Sequence, residues 1–361
     1  VGRTKTLLVH HFSLSHITGV TVMIAEILRL FPSTGAGVAD YLSFSGTPDD
    51  LIRELDEKHS DAAAVIGVNL HIEVQWEFSL ALLAWCKACG IPVWMYVHDY
   101  WPHHFDNIAA VVEKGAKLLA STAFLLESLA ADGYPAEVVT VGVPLPEVLP
   151  PPSPSPWPTI PLVFASAGRL TPRKRFQDIV RAFRNAALEN RAILYLRLLP
   201  SYVFDSGEDA EQIRLIENEI PKDNEKTGRV RLDRAPSARA LDYTPYFAYV
   251  CSSAYEGFSM GPIEAAYSGC PPLMSDIPAH KAIAQTLFGD RAQEFLYPLG
   301  DADALAKMMH DEAATERRRR LLAAQGSEIR AMIKKRWSLA TTAKLLAGIG
   351  RTGRLEREVE P

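Results

Sequence analysis

The sequence predicts an α/β protein of two halves, each a parallel sheet covered by helices on both faces. Three observations carry this expectation. Apolar strand-like runs alternate with helical patterns from start to end, a proline-crowded stretch interrupts them near the middle, and the same alternation then restarts. Alternation of this kind places helices on both faces of a parallel sheet.

In the first half, "TKTLLVHHF" reads as a strand and "VTVMIAEILRLF" as an amphipathic helix. "DAAAVIGV" is the next strand, and "EFSLALLAWCKAC" a helix leading into the strand "GIPVWMYVHD". The strand "AKLLAS", the helix "TAFLLESLAADG" and the run "AEVVTVG" close the half. Residues 144–161, "PLPEVLPPPSPSPWPTIP", follow. Proline removes backbone donors and favours extended chain, so this reads as a stiff linker. Beyond it come the strand "PLVFASAGRL", the helix "RFQDIVRAFRNAAL" and the strands "AILYLRLLP", "RVRLDR" and "YFAYVCSS". Helical text dominates from about residue 301. The expected domains are 1–150 and 151–336, with a final helix, about 337–361, packing back on the first. Two such halves leave a cleft, and ligands of these sheets bind beyond the carboxyl ends of the strands.

Bulk numbers bound the function. A chain of 361 residues suggests two domains, given about 150 residues per domain. With 48% hydrophobic and 22% charged residues the composition is that of a soluble globular protein. A net charge of −5 argues against a nucleic-acid partner. No apolar run reaches the length a membrane span needs and no secretory leader is read. Four cysteines fit a reducing cytoplasm, which is the expected location. Cys86 and Cys89 in "WCKAC" have redox-motif spacing, but they close a helix instead of opening one, so packing is expected of them. The basic runs "ERRRRLL" and "IKKRW" read as solvated helix surface. Their alternative reading is contact with an acidic partner or with anionic lipid, which would make the protein peripheral at the inner membrane face.

Two stretches carry chemistry. In "SAGRLTPRKRFQDIV", residues 166–180, a strand ends near Gly168 and a helix begins near Arg175, with Arg169 and Lys174 in the turn between them. Cations and free backbone N–H groups at such a turn suit a phosphate; taken alone, the turn also fits a solvated basic loop. In "AYEGFSMGPIEAAYSG", residues 254–269, Glu256 and Glu264 flank a turn rich in small residues, with Pro262 in the first turn of a short helix. Gly257 and Gly261 admit a close ligand, and the acids can accept from sugar hydroxyls. Acids favoured at a helix start explain the same pair.

Together the two stretches resemble the retaining glycosyltransferases of family 4, which have the GT-B fold of two facing Rossmann-like domains. The match runs through Gly168, Arg169, Leu170 and Lys174, then Tyr255 to Phe258, Glu264, Ala265, Gly269 and Pro271. "SDIPAHKAI", "FLYPLGDADALAKMM" and "RWSLATTAKLL" are similar to later family segments. The likeness is strong over residues 161–346 and weaker, though continuous, over the first 150.

The resemblance implies roles. Arg169 and Lys174 would bind the diphosphate of a UDP- or GDP-linked sugar, and Glu264 the ribose hydroxyls. Glu256 would face the transferred sugar, with the N–H groups of Phe258, Ser259 and Met260 on sugar and phosphate oxygens. His98, in "YVHDYWPHHF", would reach the donor sugar from the first domain, the acceptor side. The acceptor would be a glycan, a lipid-linked glycan or a small molecule. No cofactor and no metal is expected: His98, Asp99, His103 and His104 lack convincing ligand spacing, and "DAD", Asp301 to Asp303, reads as a helix start. Two departures stand out. Thr18 precedes Gly19, where the family often has two glycines near the donor phosphates, and Arg175 follows Lys174, where it often has glycine. The rival readings are another enzyme of this fold, such as a nucleotide-sugar epimerase, and a catalytically silent sugar-nucleotide binding module.

Overall fold

The computed structural model describes residues 5–14, 19–34, 38–71, 75–100, 105–145, 161–188, 191–200, 207–234, 243, 246–352 and 354–355. Most of the expected linker, 146–160, lies outside them. The chain divides into two compact units, Val1–Pro144 with Lys335–Pro361, and Leu145–Lys334.

The first unit alternates strand and helix: β1 (Lys5–His10), α1 (Gly19–Leu30), β2 (Val38–Ser43), α2 (Pro48–Lys58), β3 (Ala62–Val68), α3 (Trp76–Cys89), β4 (Val93–Val97), α4 (Phe105–Glu113), β5 (Lys117–Ala120), α5 (Ala123–Ala131) and β6 (Ala136–Val138). All strands pair parallel, in the order β2-β1-β3-β4-β5-β6. The central strands β1, β3 and β4 are buried nearly throughout, as a sheet covered on both faces requires. Helix starts follow local chemistry. Thr47 and Asp50 form a reciprocal capping box at α2, the Asp50 N–H donating to Thr47 Oγ1 and the Thr47 N–H to Asp50 Oδ2. On α3, Cys86 is buried; burial first, then neighbouring Cys89, push its thiol up to about 12, the reverse of what a reactive thiolate needs.

The second unit holds β7 (Leu162–Arg169), α6 (Phe176–Asn185), β8 (Ala192–Leu199), α7 (Glu208–Glu219), α8 (Asn224–Thr227), β9 (Val230–Arg234), β10 (Ala248–Cys251), α9 (Met260–Tyr267), β11 (Pro272–Ser275), α10 (Pro278–Phe288), β12 (Leu296–Tyr297), α11 (Ala302–His310) and α12 (Glu312–Ala324). Its parallel order is β12-β11-β10-β7-β8-β9. Phe164 on β7 sits at the heart of its core, edge-on to Phe183 of α6 and to Phe247. Asp301 caps α11 by accepting from the Ala304 N–H at 2.8 Å, so the "DAD" triplet is a helix start.

The arginine run corrects the reading of a solvated face. Arg317 and Arg320 are exposed, but Arg318 is buried and donates from Nε to the Glu294 carbonyl. Arg319 is half-buried and donates from Nη1 to the carbonyls of Tyr246 and Phe247. Two of the four guanidiniums therefore satisfy loop carbonyls that would otherwise be stranded.

Helix α13 (Gly326–Trp337) leads into α14 (Leu339–Thr352), which belongs to the first unit. It is tied there by the Val143 N–H donating to the Trp337 carbonyl at 2.7 Å, and by Thr342 Oγ1 donating to the Thr140 carbonyl at 2.8 Å. The contact is close enough to dictate composition. A Cβ at Gly142 would overlap the backbone of Leu339, and a Cβ at Gly350 would collide with buried Thr6 Oγ1.

That collision reverses an ordinary sign. Gly→Ala inside a helix normally stabilises, by up to about 1 kcal/mol. Gly350→Ala should instead destabilise, by about 1–3 kcal/mol for overpacking, and Thr6→Ala should restore part of the loss. Urea unfolding of the two single variants and the double variant checks this.

Candidate functional site

In the second sheet the chain runs from β7 outward through β8 and β9, then crosses back to lay β10, β11 and β12 on the other side of β7. The reversal opens a crevice beyond the carboxyl ends of β7 and β10, the place where open α/β sheets bind ligands. Both chemistry-bearing stretches arrive there, one after each strand.

The turn after β7 is short and pinned. Leu170 is buried beneath it, Pro172–Lys174 make one 3₁₀ turn, and Arg175 takes a left-handed backbone, φ 51, before α6 begins. That backbone is where glycine is easiest, so the departure at 175 is a conformational one. The Arg175 side chain is engaged elsewhere, donating from Nε to Asp178 Oδ2 at 2.6 Å. The turn after β10 is sewn to the first. The Ala254 N–H donates to the Arg173 carbonyl at 2.7 Å, and Ser252 Oγ donates to the carbonyls of Lys174 and Arg175 at 2.6 and 3.0 Å.

Sewing the turns together brings Lys174 Nζ to 2.5 Å from Glu256 Oε1. Ser253 Oγ donates to the same oxygen at 2.7 Å, and Arg173 Nη1 lies 4.0 Å from the other. Burial alone would raise the Glu256 pKa. Lys174 and then Arg173, with the hydrogen bonds from Lys174 and Ser253, outweigh burial and hold it at about 2. Gly168 makes room for this: a Cβ there would stand 3.3 Å from the Phe176 ring and 3.4 Å from the Lys174 stem.

The remaining expected residues fall around this contact. Arg169 is the last, half-buried residue of β7. Gly257 is buried in the turn, Phe258 is half-buried, Ser259 is the N-cap of α9 and Met260 its first residue. The Ser259 side chain makes no cap hydrogen bond. Glu264, on α9, accepts from the Tyr243 hydroxyl at 2.8 Å, and burial raises its pKa against that bond. Gly261 serves a different purpose from the one expected. A Cβ there would strike the hydroxyl of buried Tyr249, which donates to the Ala167 carbonyl at 3.2 Å. Its smallness therefore seats α9 on β10. The sequence reading missed Arg173, Ser253 and Tyr243. Tyr243 follows residues 235–242, which lie outside the described residues.

The first sheet has its own reversal, between β1 and β3, and histidines gather there. Asn69, with φ 53, follows β3 and organises them. Its carbonyl accepts from His11 Nε2 at 3.2 Å, and its Oδ1 accepts from the His98 backbone N–H at 2.7 Å. His10 Nδ1 donates to the Val68 carbonyl at 2.9 Å, and His71 Nε2 to the Asp99 carbonyl at 2.7 Å. His98 is buried against the Tyr96 ring. Burial first, then His10 and His71, push its pKa down to about 3; burial, then His10, do the same for His11. Gly19 opens α1 in this unit. Thr18, His103 and His104 lie outside the described residues. Among the described residues no group of three or more metal-ligating side chains is placed to hold a metal ion, and no helix is long and apolar enough to cross a membrane.

Solved structures with this architecture span nearly the whole chain. HepE of Anabaena, solved with UDP-glucose, superposes with a TM-score of 0.68 at 14% identity, covering 95% of this chain and 98% of its own. Sucrose-phosphate synthase of Thermosynechococcus elongatus gives 0.71 at 15% identity, covering 97% and 98%. The fold is GT-B. A third GT-B neighbour, the lipopolysaccharide outer core galactosyltransferase WaaB in its apo form, gives 0.59 at 16% identity, covering 96% and 98%. No family model matches the chain, and no curated protein does.

The Lys174–Glu256 contact has a pH signature. A carboxyl depressed from 4.5 to about 2 contributes stability that is present above pH 4.5 and lost as pH falls toward 2. Lys174→Met should strand the carboxylate. With Lys174 still 19% exposed, the cost at neutral pH should lie near the lower end of the range for breaking a buried pair, about 3 kcal/mol. The acid-side loss should also be smaller in the variant and end at a higher pH, because its onset is set by the unfolded carboxyl, which the change leaves alone. Denaturant unfolding of both proteins across that pH range measures each effect.

Proposed function

We propose that the protein is a glycosyltransferase of the retaining family 4 kind, moving a sugar from a nucleoside diphosphate sugar to an acceptor hydroxyl in glycan or glycoconjugate biosynthesis. The observation that carries this is the meeting of Lys174, Arg173 and Glu256 at the reversal point of the second sheet, beside the start of α9. Cations and helix N–H groups suit a diphosphate. An ionised carboxylate between them suits hydroxyl donors. The GT-B neighbour solved with UDP-glucose supports the same reading.

In this reading Arg169 and Lys174 hold the diphosphate, Glu264 takes the ribose hydroxyls, and Glu256 meets the sugar. Lys174 exchanges its Glu256 contact for phosphate as the donor arrives. The leaving phosphate, steadied by these cations, helps deprotonate the acceptor hydroxyl on the same face of the sugar, which retains configuration. Preorganised charge of this kind stabilises the transition state at little reorganisation cost. His98, held neutral by burial, is suited to a hydrogen bond with an uncharged hydroxyl. The acceptor lies on the first unit.

The rival, a silent sugar-nucleotide binding module, differs in turnover. Incubating the protein with UDP- and GDP-linked hexoses and a panel of glycan and small-molecule acceptors tests for transfer. NMR of the product's anomeric centre tests for retention; an inverted product rules out the front-face route. We expect turnover to persist in excess chelator, because cations of the chain meet the diphosphate charge. Loss of activity restored by magnesium or manganese overturns that expectation.

The two glutamates should separate. Glu264→Gln weakens a contact made equally in ground and transition states, so donor KM should rise with little change in kcat. Glu256→Gln should lower kcat, the lost charge-assisted hydrogen bond amounting to about 1.5–3 kcal/mol. Because Lys174 is released from its partner in that variant, free UDP or GDP should bind it no more weakly than wild type. Calorimetry beside steady-state kinetics reads both effects, and equal loss of nucleotide affinity in the two variants would falsify the assignment of opposite donor ends.

A further inference from the structure

The carboxylate of Glu256 is held through one oxygen. Lys174 Nζ at 2.5 Å and Ser253 Oγ at 2.7 Å both meet Oε1, while Oε2 has Arg173 Nη1 at 4.0 Å, beyond hydrogen-bond distance. The two donors on Oε1 differ in kind. Lys174 ends a long, flexible side chain and is 19% exposed. Ser253 is fully buried, and its hydroxyl stands one carbon from the backbone.

Neutral bonds fix that backbone on both sides. The Ser253 carbonyl accepts from Ser275 Oγ at 2.6 Å. Ser252, before it, donates from Oγ to the carbonyls of Lys174 and Arg175, and Ala254, after it, donates its N–H to the Arg173 carbonyl. None of these bonds uses the Glu256 carboxylate, so the Ser253 hydroxyl keeps its place whether or not the ion pair is made. Its proton is committed as well. A carboxyl held at about 2 brings no proton of its own at neutral pH, so the 2.7 Å contact is made by the serine proton. Cys251 Sγ, the other polar side-chain atom facing Ser253 Oγ among the described residues, stands farther off at 3.5 Å.

In the proposed reaction Lys174 leaves Oε1 for the donor diphosphate. A carboxylate that is 5% exposed has little water to replace the lysine, and a buried charge without a hydrogen bond is costly. Lys174 also neutralises part of the charge that Ser253 meets, so the serine bond strengthens when the lysine goes. We propose that Ser253 is a positioning residue for donor binding: its hydroxyl holds Glu256 Oε1 after Lys174 turns to the diphosphate, and so lets the lysine be released to the donor. The inference rests on the reading of Lys174 as a diphosphate ligand. It gives Ser253 no contact with donor or acceptor, and its effect passes through Glu256 alone.

A double-variant cycle read by calorimetry, with free UDP and GDP as probes, tests this. Ser253→Ala should weaken nucleotide binding about tenfold, the scale of one hydrogen bond to a charged group, because Lys174 then leaves behind a carboxylate with no donor on Oε1. In a Glu256→Gln background the same change should have little effect, since the lysine leaves no charge behind. A hydroxyl that serves packing alone gives the same loss in both backgrounds and overturns the proposal. So does wild-type affinity in Ser253→Ala, which leaves the diphosphate site itself standing. If neither nucleotide binds the wild-type protein, the diphosphate site and the inference fall together.

Discussion

A carboxylate that is 5% exposed and a lysine 2.5 Å away set the terms for the second unit. Their attraction at an effective dielectric near 20 is about 7 kcal/mol. Removing two such ions from water costs several kcal/mol each. The pair therefore does little better than break even, and it does not by itself hold the two turns together. That work falls to neutral bonds: the Ala254 N–H on the Arg173 carbonyl, and Ser252 on the carbonyls of Lys174 and Arg175. With the turns fixed by these, Lys174 and Glu256 have no choice but to face each other. A near-balanced ion pair inside a rigid frame exchanges partners readily. An arriving diphosphate has only to match what Glu256 supplies to Lys174, and in the proposed reading the sugar hydroxyls compensate Glu256.

The same frame explains which small and special residues stand where they do. Gly168 clears the Lys174 stem, Gly261 lets α9 approach Tyr249, and the left-handed backbone at Arg175 turns the chain sharply into α6. None of these touches a ligand in order to do its work. They set distances between elements, and those distances bring side chains from two separate stretches to one point.

The βα alternation was legible because each strand is a buried apolar run bounded by turn residues. The expected strands correspond to β1, β3 to β5 and β7 to β10. β2 and α2 were not expected, since "VADYLS" is short, mostly half-buried and interrupted by Asp40. Both charged turns were legible as motifs. Their meeting was not, because Lys174 and Glu256 are 82 positions apart and only the strand order, with β10 beside β7, brings them together. The same holds for Tyr243 on Glu264 and His280 on Ser259, each a tertiary contact with no local pattern. The arginine run misled for a related reason. Four consecutive residues cover every side of a helix, and the sequence does not say which side meets the loop at Tyr246 and Phe247.

The two reversal points differ in charge, and the difference follows from what surrounds them. In the second unit, cations stand beside the carboxylate and outweigh burial, so Glu256 stays ionised well into acid. In the first, burial is the largest influence on His11 and His98. The rings of His10, His11 and His71 are held by backbone carbonyls, neighbouring histidines disfavour a charge on His11 and His98, and these two remain neutral down to about 3. A site of the first kind attracts a charged ligand and retains its electrostatics across physiological pH. A site of the second kind offers hydrogen bonds without charge, which suits hydroxyl groups and repays no phosphate. Two six-stranded parallel sheets thus carry two different chemistries, because three residues after β7 and β10 are Arg173, Lys174 and Glu256, while those after β1, β3 and β4 include His11, Asn69 and His98.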